Sequence, residues 1–201
     1  MTGLRAAGLL DKTVLIVTSD HGEGLFDHDY FFHDFNLYYN TLWVPLIIKV
    51  PGAGKREIPG LVQLIDLMPT VLELAGIEPN SDAQGYSLLP LLTGKEAAGG
   101  GFTIAESAVG SSALRSEQWK LIVSPKKTEL YDLKLDPGER KDLAKTGKKT
   151  AEELRAKLSE AAAAGEKDAP GEPLQAGTEF RTNMTKADEA LEEAEGSEHA
   201  G

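Results

Sequence analysis

Asp20 and His21 stand side by side in a Ser19-Asp20-His21-Gly22 turn, and two further histidines, His28 and His33, follow within a few residues. Carboxylate and imidazole are the side chains that ligate divalent cations and shuttle protons near neutral pH. A turn splays neighbouring side chains, and Gly22 lets the backbone come close behind them, so a carboxylate oxygen and an imidazole nitrogen can reach one cation. Glu23, just after, is placed to orient the pair from behind. The competing reading is conformational, because Asp and Gly also gather at strand-ending turns for backbone reasons alone. For His33 the competitor is a histidine packed among Phe31, Phe32 and Phe35.

These side chains need elements to hold them. Val14-Leu15-Ile16-Val17 runs straight into the turn without polar alternation, which predicts a strand buried on both faces of a mainly parallel sheet. The crevice beyond its carboxyl end is then a natural ligand site. A second such strand, Val44 to Val50, closes on Pro51-Gly52. A short helix is predicted ahead of the first strand, with Leu4, Leu9 and Leu10 apolar. Another runs from Asp66, as N-cap, through Pro69 in its first turn to Gly76. Lys49 and the Lys55-Arg56 pair read as solvated surface. Glu106, Arg115 and Trp119 could face a ligand or simply pack.

In this arrangement the chain resembles the sulfatases of the alkaline phosphatase superfamily. The matching segments, in order, are Ser19 to Gly22, Val44 to Gly52, Ile65 to Ile77 (family form DLxPTLLELAGI) and Gly85 to Leu92 (GxSLLPLL). Ala113 to Ser116, Trp119 to Ile122 and Glu129 to Leu133, closing with Asp136 to Glu139, look like the family's small antiparallel sheet. The resemblance implies an α/β, alkaline phosphatase-like partial three-layer sheet over residues 1–92 and an antiparallel subdomain over 93–144. It leaves 145–201 as an acidic helical and disordered tail.

The same resemblance implies hydrolysis of a sulfate ester, an aryl sulfate or a sulfated glycan. It makes Asp20 and His21 metal ligands, His33 a catalytic and substrate-binding residue, and His28 a substrate-binding one. A cation there neutralises the ester and holds one of its oxygens. Ca²⁺ is the family's usual ion, and the imidazole donor leaves Mn²⁺ open. The family's nucleophile is a formylglycine made from Cys or Ser in a Cys/Ser-x-Pro-x-Arg motif. This chain has no Cys, and Ser124-Pro125-Lys126-Lys127 has the wrong register. The expectation is therefore a chain carrying only the second half of a sulfatase, inactive alone. The alternatives are a phosphodiester or phosphonate hydrolase, a phosphoglycerol transferase of the same superfamily, or a noncatalytic remnant.

At 201 residues and 41% hydrophobic, the chain can bury one core and a small satellite. Residues 151–201 hold five Lys and Arg against 13 Asp and Glu, a net −8 of the chain's −11, which argues against a nucleic-acid partner. Lys148 to Gly165 has helical periodicity, and the Pro-, Gly- and acid-rich remainder, with His199, reads as disordered apart from a transient helix near Lys186 to Glu195. No stretch is long and apolar enough to span a membrane. Location is not legible in the chain; the resemblance fits a periplasmic or extracellular setting.

Overall fold

Before the first strand the chain makes a short helix, α1 (Thr2–Ala6), and a 3-10 turn, Leu10–Lys12, in which Leu10 is buried while Leu9 is exposed. The computed structural model describes residues 1–29, 31–33, 36–78, 83–95 and 101–167. The apolar run then forms β1 (Leu15–Thr18), and the second run forms β2 (Leu46–Lys49), with the short helix α2 (Tyr39–Leu42) between them. The two strands pair antiparallel, Leu15 opposite Lys49 and Val17 opposite Ile47, as a two-stranded ribbon. This corrects the expected parallel pairing and two-faced burial: Val17 is 47% and Ile47 62% exposed. An unbroken apolar run reports that both faces are apolar, and says nothing of the direction of the neighbouring strand. Lys49 also departs from its expected solvated role. Its ammonium donates to the carbonyls of Leu10 (2.6 Å) and Thr13 (3.3 Å), tying the N-terminal turn to the ribbon.

The helix expected from Asp66 is present as α3 (Leu67–Leu74), ending at Ala75 and left-handed Gly76. Asp66, however, does not cap it through its side chain. One carboxylate oxygen accepts from the Gln63 N–H (2.8 Å) and the other from the Tyr86 N–H (2.9 Å), so the residue staples two segments together. Thr70, fully buried, donates to the Asp66 carbonyl and accepts from the Leu88 N–H at the start of α4 (Leu89–Leu92). Gly85 is obligatory there, since a Cβ would lie 2.2 Å from the Ile65 carbonyl oxygen.

The expected small antiparallel sheet is a four-strand meander, β3 (Phe102–Glu106), β4 (Ser112–Ser116), β5 (Trp119–Val123) and β6 (Thr128–Asp132), in sequential order. Period-two alternation gives it two apolar faces. Leu114, Leu121 and Leu130 pack against Ala151, Leu154 and Leu158 of α5 (Lys148–Lys167). Trp119 packs at the edge of that cluster. On the other face Ala113, Ile122 and Tyr131 meet Leu37 and Tyr38. The helix is thus one wall of a core and not the beginning of a tail. The expected disordered segment and its transient helix lie outside the described residues. No helix among the described residues is long and apolar enough to cross a membrane.

A buried ion pair joins this sheet to the ribbon side. Lys120 on β5 and Glu139 are each 1% exposed at the side chain, with Nζ 2.8 and 3.0 Å from the two carboxylate oxygens. Burial pushes the Lys120 ammonium below its usual value, while Glu139 opposes that shift. One Glu139 oxygen also accepts from the N–H of Tyr39, the first residue of α2 (3.0 Å). Removing one partner strands a buried charge, so Glu139→Ala should lower unfolding free energy by about 3–5 kcal/mol. The double variant Lys120→Met/Glu139→Ala, read by urea denaturation, should recover part of that loss.

Candidate active site

Where β1 ends, the Ser19 hydroxyl donates to the His21 carbonyl (2.7 Å), and the His21 N–H donates to Asp20 Oδ1 (3.0 Å). These bonds curl the chain into a tight turn. The His21 N–H, foremost, holds the Asp20 carboxyl below the usual carboxylate range, so Asp20 is an anion at neutral pH. Gly22 seats the turn: its N–H donates to the Thr41 carbonyl (2.7 Å), and a Cβ would lie 2.0 Å from the Asn40 carbonyl oxygen. The Asp20-His21 pair is therefore positioned by α2, and α2 by Glu139.

The His21 ring turns back over this scaffold. Its Nδ1 lies 2.8 Å from the Gly22 carbonyl, which can only accept, so Nδ1 carries a proton. Nε2 then faces Asp20 Oδ2 at 3.5 Å. In the neutral imidazole this sets a nitrogen lone pair beside a carboxylate oxygen. Ligands about 2.1 Å from one ion at a tetrahedral angle stand about 3.4 Å apart, so the pair fits a shared divalent cation. Among the described residues no group of three or more His, Cys, Asp or Glu gathers in a way that could hold a metal ion. The Asn40 side-chain amide, in the helix that covers the turn, has buried nitrogen and oxygen atoms without a hydrogen-bond partner. Buried amides require a polar partner.

His33 joins this cluster. Its ring stacks on His21 with centroids 3.8 Å apart, and its Nδ1 lies 3.3 Å from both Glu23 oxygens. Phe31 makes ring contacts with Phe26 and Phe32, and Phe35 lies outside the described residues. Glu23 supports His33, whereas the sequence suggested that it would orient the Asp20-His21 pair. His28 is committed elsewhere. It sits in a left-handed backbone (φ 57°), stacks on Tyr38 at 3.8 Å and donates from Nε2 to the Gly138 carbonyl at 3.1 Å.

Tyr38 is itself anchored to the small sheet. Its hydroxyl and that of Tyr131 donate to the same Glu129 oxygen, at 2.9 and 2.7 Å, and Lys127 adds an ammonium at 3.0 Å. Sequence reading missed Glu129, Glu139 and Lys120. The one signal was that Lys120 interrupts an otherwise apolar strand.

With this geometry in view, the family described as N-sulphoglucosamine sulphohydrolase, C-terminal, matches residues 24–167. Arylsulfatase K of Rattus norvegicus is 34% identical over 158 residues, covering 70% of this chain and 28% of that protein. The chain thus spans little more than a quarter of that relative. Among solved structures, a 2-O GAG sulfatase superposes with a TM-score of 0.74 at 30% identity, over 83% of this chain and 40% of that one. Another, solved in complex with its substrate D-glucosamine-2-N,6-O-disulfate, gives a TM-score of 0.70 at 30% identity, over 84% of this chain and 38% of that one. The expected alkaline phosphatase-like α/β class is borne out by this likeness.

Two measurements check the scaffold of the site. Gly22→Ala should cost about 1–3 kcal/mol in denaturant unfolding, because the new methyl meets backbone. Burial and then Glu129 push both the Tyr38 and Tyr131 phenols above their ordinary value of 10.0. The folded chain therefore keeps protons that the unfolded chain releases, so this contribution is complete below pH 10.0 and declines as pH climbs above it. Tyr131→Phe should flatten that alkaline decline in a series of urea melts.

Proposed function

The chain belongs to the sulfatase family, and on that premise we propose that it carries one part of the active site of a divalent-cation-dependent sulfuric ester hydrolase. The observation that carries this reading is the convergence of Asp20 Oδ2 and His21 Nε2, 3.5 Å apart at the end of β1, with His33 stacked behind them. Asp20 and His21 would hold the cation, Ca²⁺ by family habit, with Mn²⁺ left open by the imidazole donor. That ion, when bound, supplies charge neutralisation for the ester and for the attacking oxygen.

The remaining work falls to the chain's own residues. Asp20 arrives already ionised and held by backbone, so it needs no reorganisation to ligate. The Nδ1–H of His21 is fixed on the Gly22 carbonyl, which directs Nε2 outward. His33, steadied at Nδ1 by Glu23, carries the proton for the leaving oxygen at Nε2 and faces the anionic ester when protonated. His28, bound to Tyr38 and Gly138, contributes by holding the loop that carries His33, a supporting part in place of a direct contact with the ester.

The substrate class is an organic sulfate ester. Support comes from the arylsulfatase relative and from the solved structure holding a disulfated glucosamine. The chain contains no Cys for a formylglycine precursor, so the nucleophile belongs to polypeptide outside these residues. Purified alone, the chain should show no turnover of 4-nitrophenyl sulfate and weak but measurable binding of Ca²⁺ or Mn²⁺ by calorimetry. Asp20→Ala and His21→Ala should each abolish that binding. Unchanged cation affinity in Asp20→Ala would remove the metal assignment, and robust turnover by the chain alone would refute the assignment of the nucleophile elsewhere.

A further inference from the structure

A cavity of about 770 Å³ opens between the end of α4 and the turn that joins β4 to β5, and none of its lining residues belongs to the Asp20-His21-His33 cluster. That volume suits a small ligand. Three cations line it: Arg56, read from the sequence as solvated surface, with Lys95 and Lys134. Two carboxylates, Glu57 and Glu117, line it as well. Even so, no ion pair among the described residues neutralises any of the three cations. A concave surface lined by cations gathers anions, because its low-dielectric walls concentrate the field.

Backbone contacts set the positions of these groups. The chain leaves α4 through Gly94, whose φ of 87° is left-handed and whose N–H donates to the Leu91 carbonyl (3.1 Å). The Arg56 guanidinium lies over Gly94: a Cβ there would stand 2.9 Å from its Nη1. Glycine at this position thus serves both the turn and the room that the guanidinium takes. Lys95 follows directly, its N–H donating to the Pro90 carbonyl (2.8 Å). On the meander side one carboxylate fixes two lining residues. Asp132, 6% exposed, accepts from the Gln118 side-chain amide at 3.2 Å and from the Lys134 N–H at 3.1 Å. Ile58, Leu61 and Leu91, all partly buried, add apolar surface to the same cavity.

We propose that this cavity binds a small organic anion, its oxyanion group held by Arg56 with Lys95 and Lys134, and its apolar body resting on Ile58, Leu61 and Leu91. A guanidinium grips an oxyanion through two parallel hydrogen bonds, whereas an ammonium acts as a point charge, so Arg56 supplies geometry and the lysines supply field. Three cations against two carboxylates leave a small positive excess. That excess fits a ligand of one or two negative charges and disfavours a long polyanion, which Glu57 and Glu117 repel. Carboxylate, phosphate and sulfate groups share the required chemistry. All three cations are exposed, so added salt screens the attraction and weakens binding.

The test titrates the full chain, in metal-free buffer at low salt, with phenyl phosphate, phenyl sulfate, benzoate and inorganic phosphate, read by the amide NMR shifts of Gly94, Lys95 and Gln118. Those amides should move to saturation, and the tightest of the three aryl anions identifies the oxyanion group. Phenyl phosphate should bind about threefold or more tightly than inorganic phosphate, through its apolar body. Arg56→Gln should weaken binding about tenfold, and Lys134→Gln by less. Lys55→Gln, next in the chain but outside the lining, should change nothing. Urea midpoints matching that of the unaltered chain establish that the variants fold. Equal losses from Lys55→Gln and Arg56→Gln mean diffuse surface attraction and overturn the proposal. Shifts confined to Asp20 and His21, equal affinity for the two phosphates, or no movement of the three amides with any probe overturn it as well.

Discussion

The salt bridge between Lys120 and Glu139 is the constraint on which the rest of the arrangement depends. Both ends are taken out of water, so the pair is tolerable only if the remaining valences of the carboxylate are met. One of them is met by the backbone N–H of Tyr39, which brings α2 to the meander. Glu139 itself adopts a left-handed backbone, φ 54°, uncommon for a residue with a side chain and sustained here by these two contacts. Once α2 is fixed, its carbonyls at Asn40 and Thr41 receive Gly22, and the Asp20-His21 pair takes its orientation from them. A run of contacts from the β5 interior to the end of β1 thus links a buried ion pair to the Asp20-His21 turn.

A second tether runs parallel to the first. Glu129 gathers two phenols and an ammonium, fixes Tyr38, and through Tyr38 holds the His28 ring. The two tethers approach α2 and the loop after Gly22 from the same face of the meander. Leu37 and Tyr38 are also part of the apolar cluster on that face, so packing and polar contacts act on one short segment. That redundancy supports the positive φ of His28, whose ring stacks on Tyr38.

What the sequence revealed divides along physical lines. The meander and α5 were legible because their apolar residues recur at strand and helix periods, and α3 because Pro69 and Gly76 mark its ends. The neighbouring placement of Asp20 and His21 was legible from their adjacency in a glycine turn. Strand direction was not, since side-chain type records burial and not the polarity of the partner. The Asp66 carboxylate looked like a cap because local sequence cannot show a competing N–H twenty residues on, at Tyr86. His28 was expected to bind substrate on resemblance alone, and its contacts with Tyr38 and Gly138 are brought to it by the tertiary fold. Lys120 and Glu129 were overlooked because a lone charge in a strand is ordinarily turned toward water, and only the fold supplies the opposite charge that lets each face inward.

The β1-β2 ribbon has one further consequence. Among the described residues each strand has a single neighbour, and Val17 and Ile47 stand together on the outer face. Unpaired strand edges flanked by branched apolar side chains recruit other strands. The edges of this ribbon are therefore open to backbone pairing and its outer strip to an apolar cover.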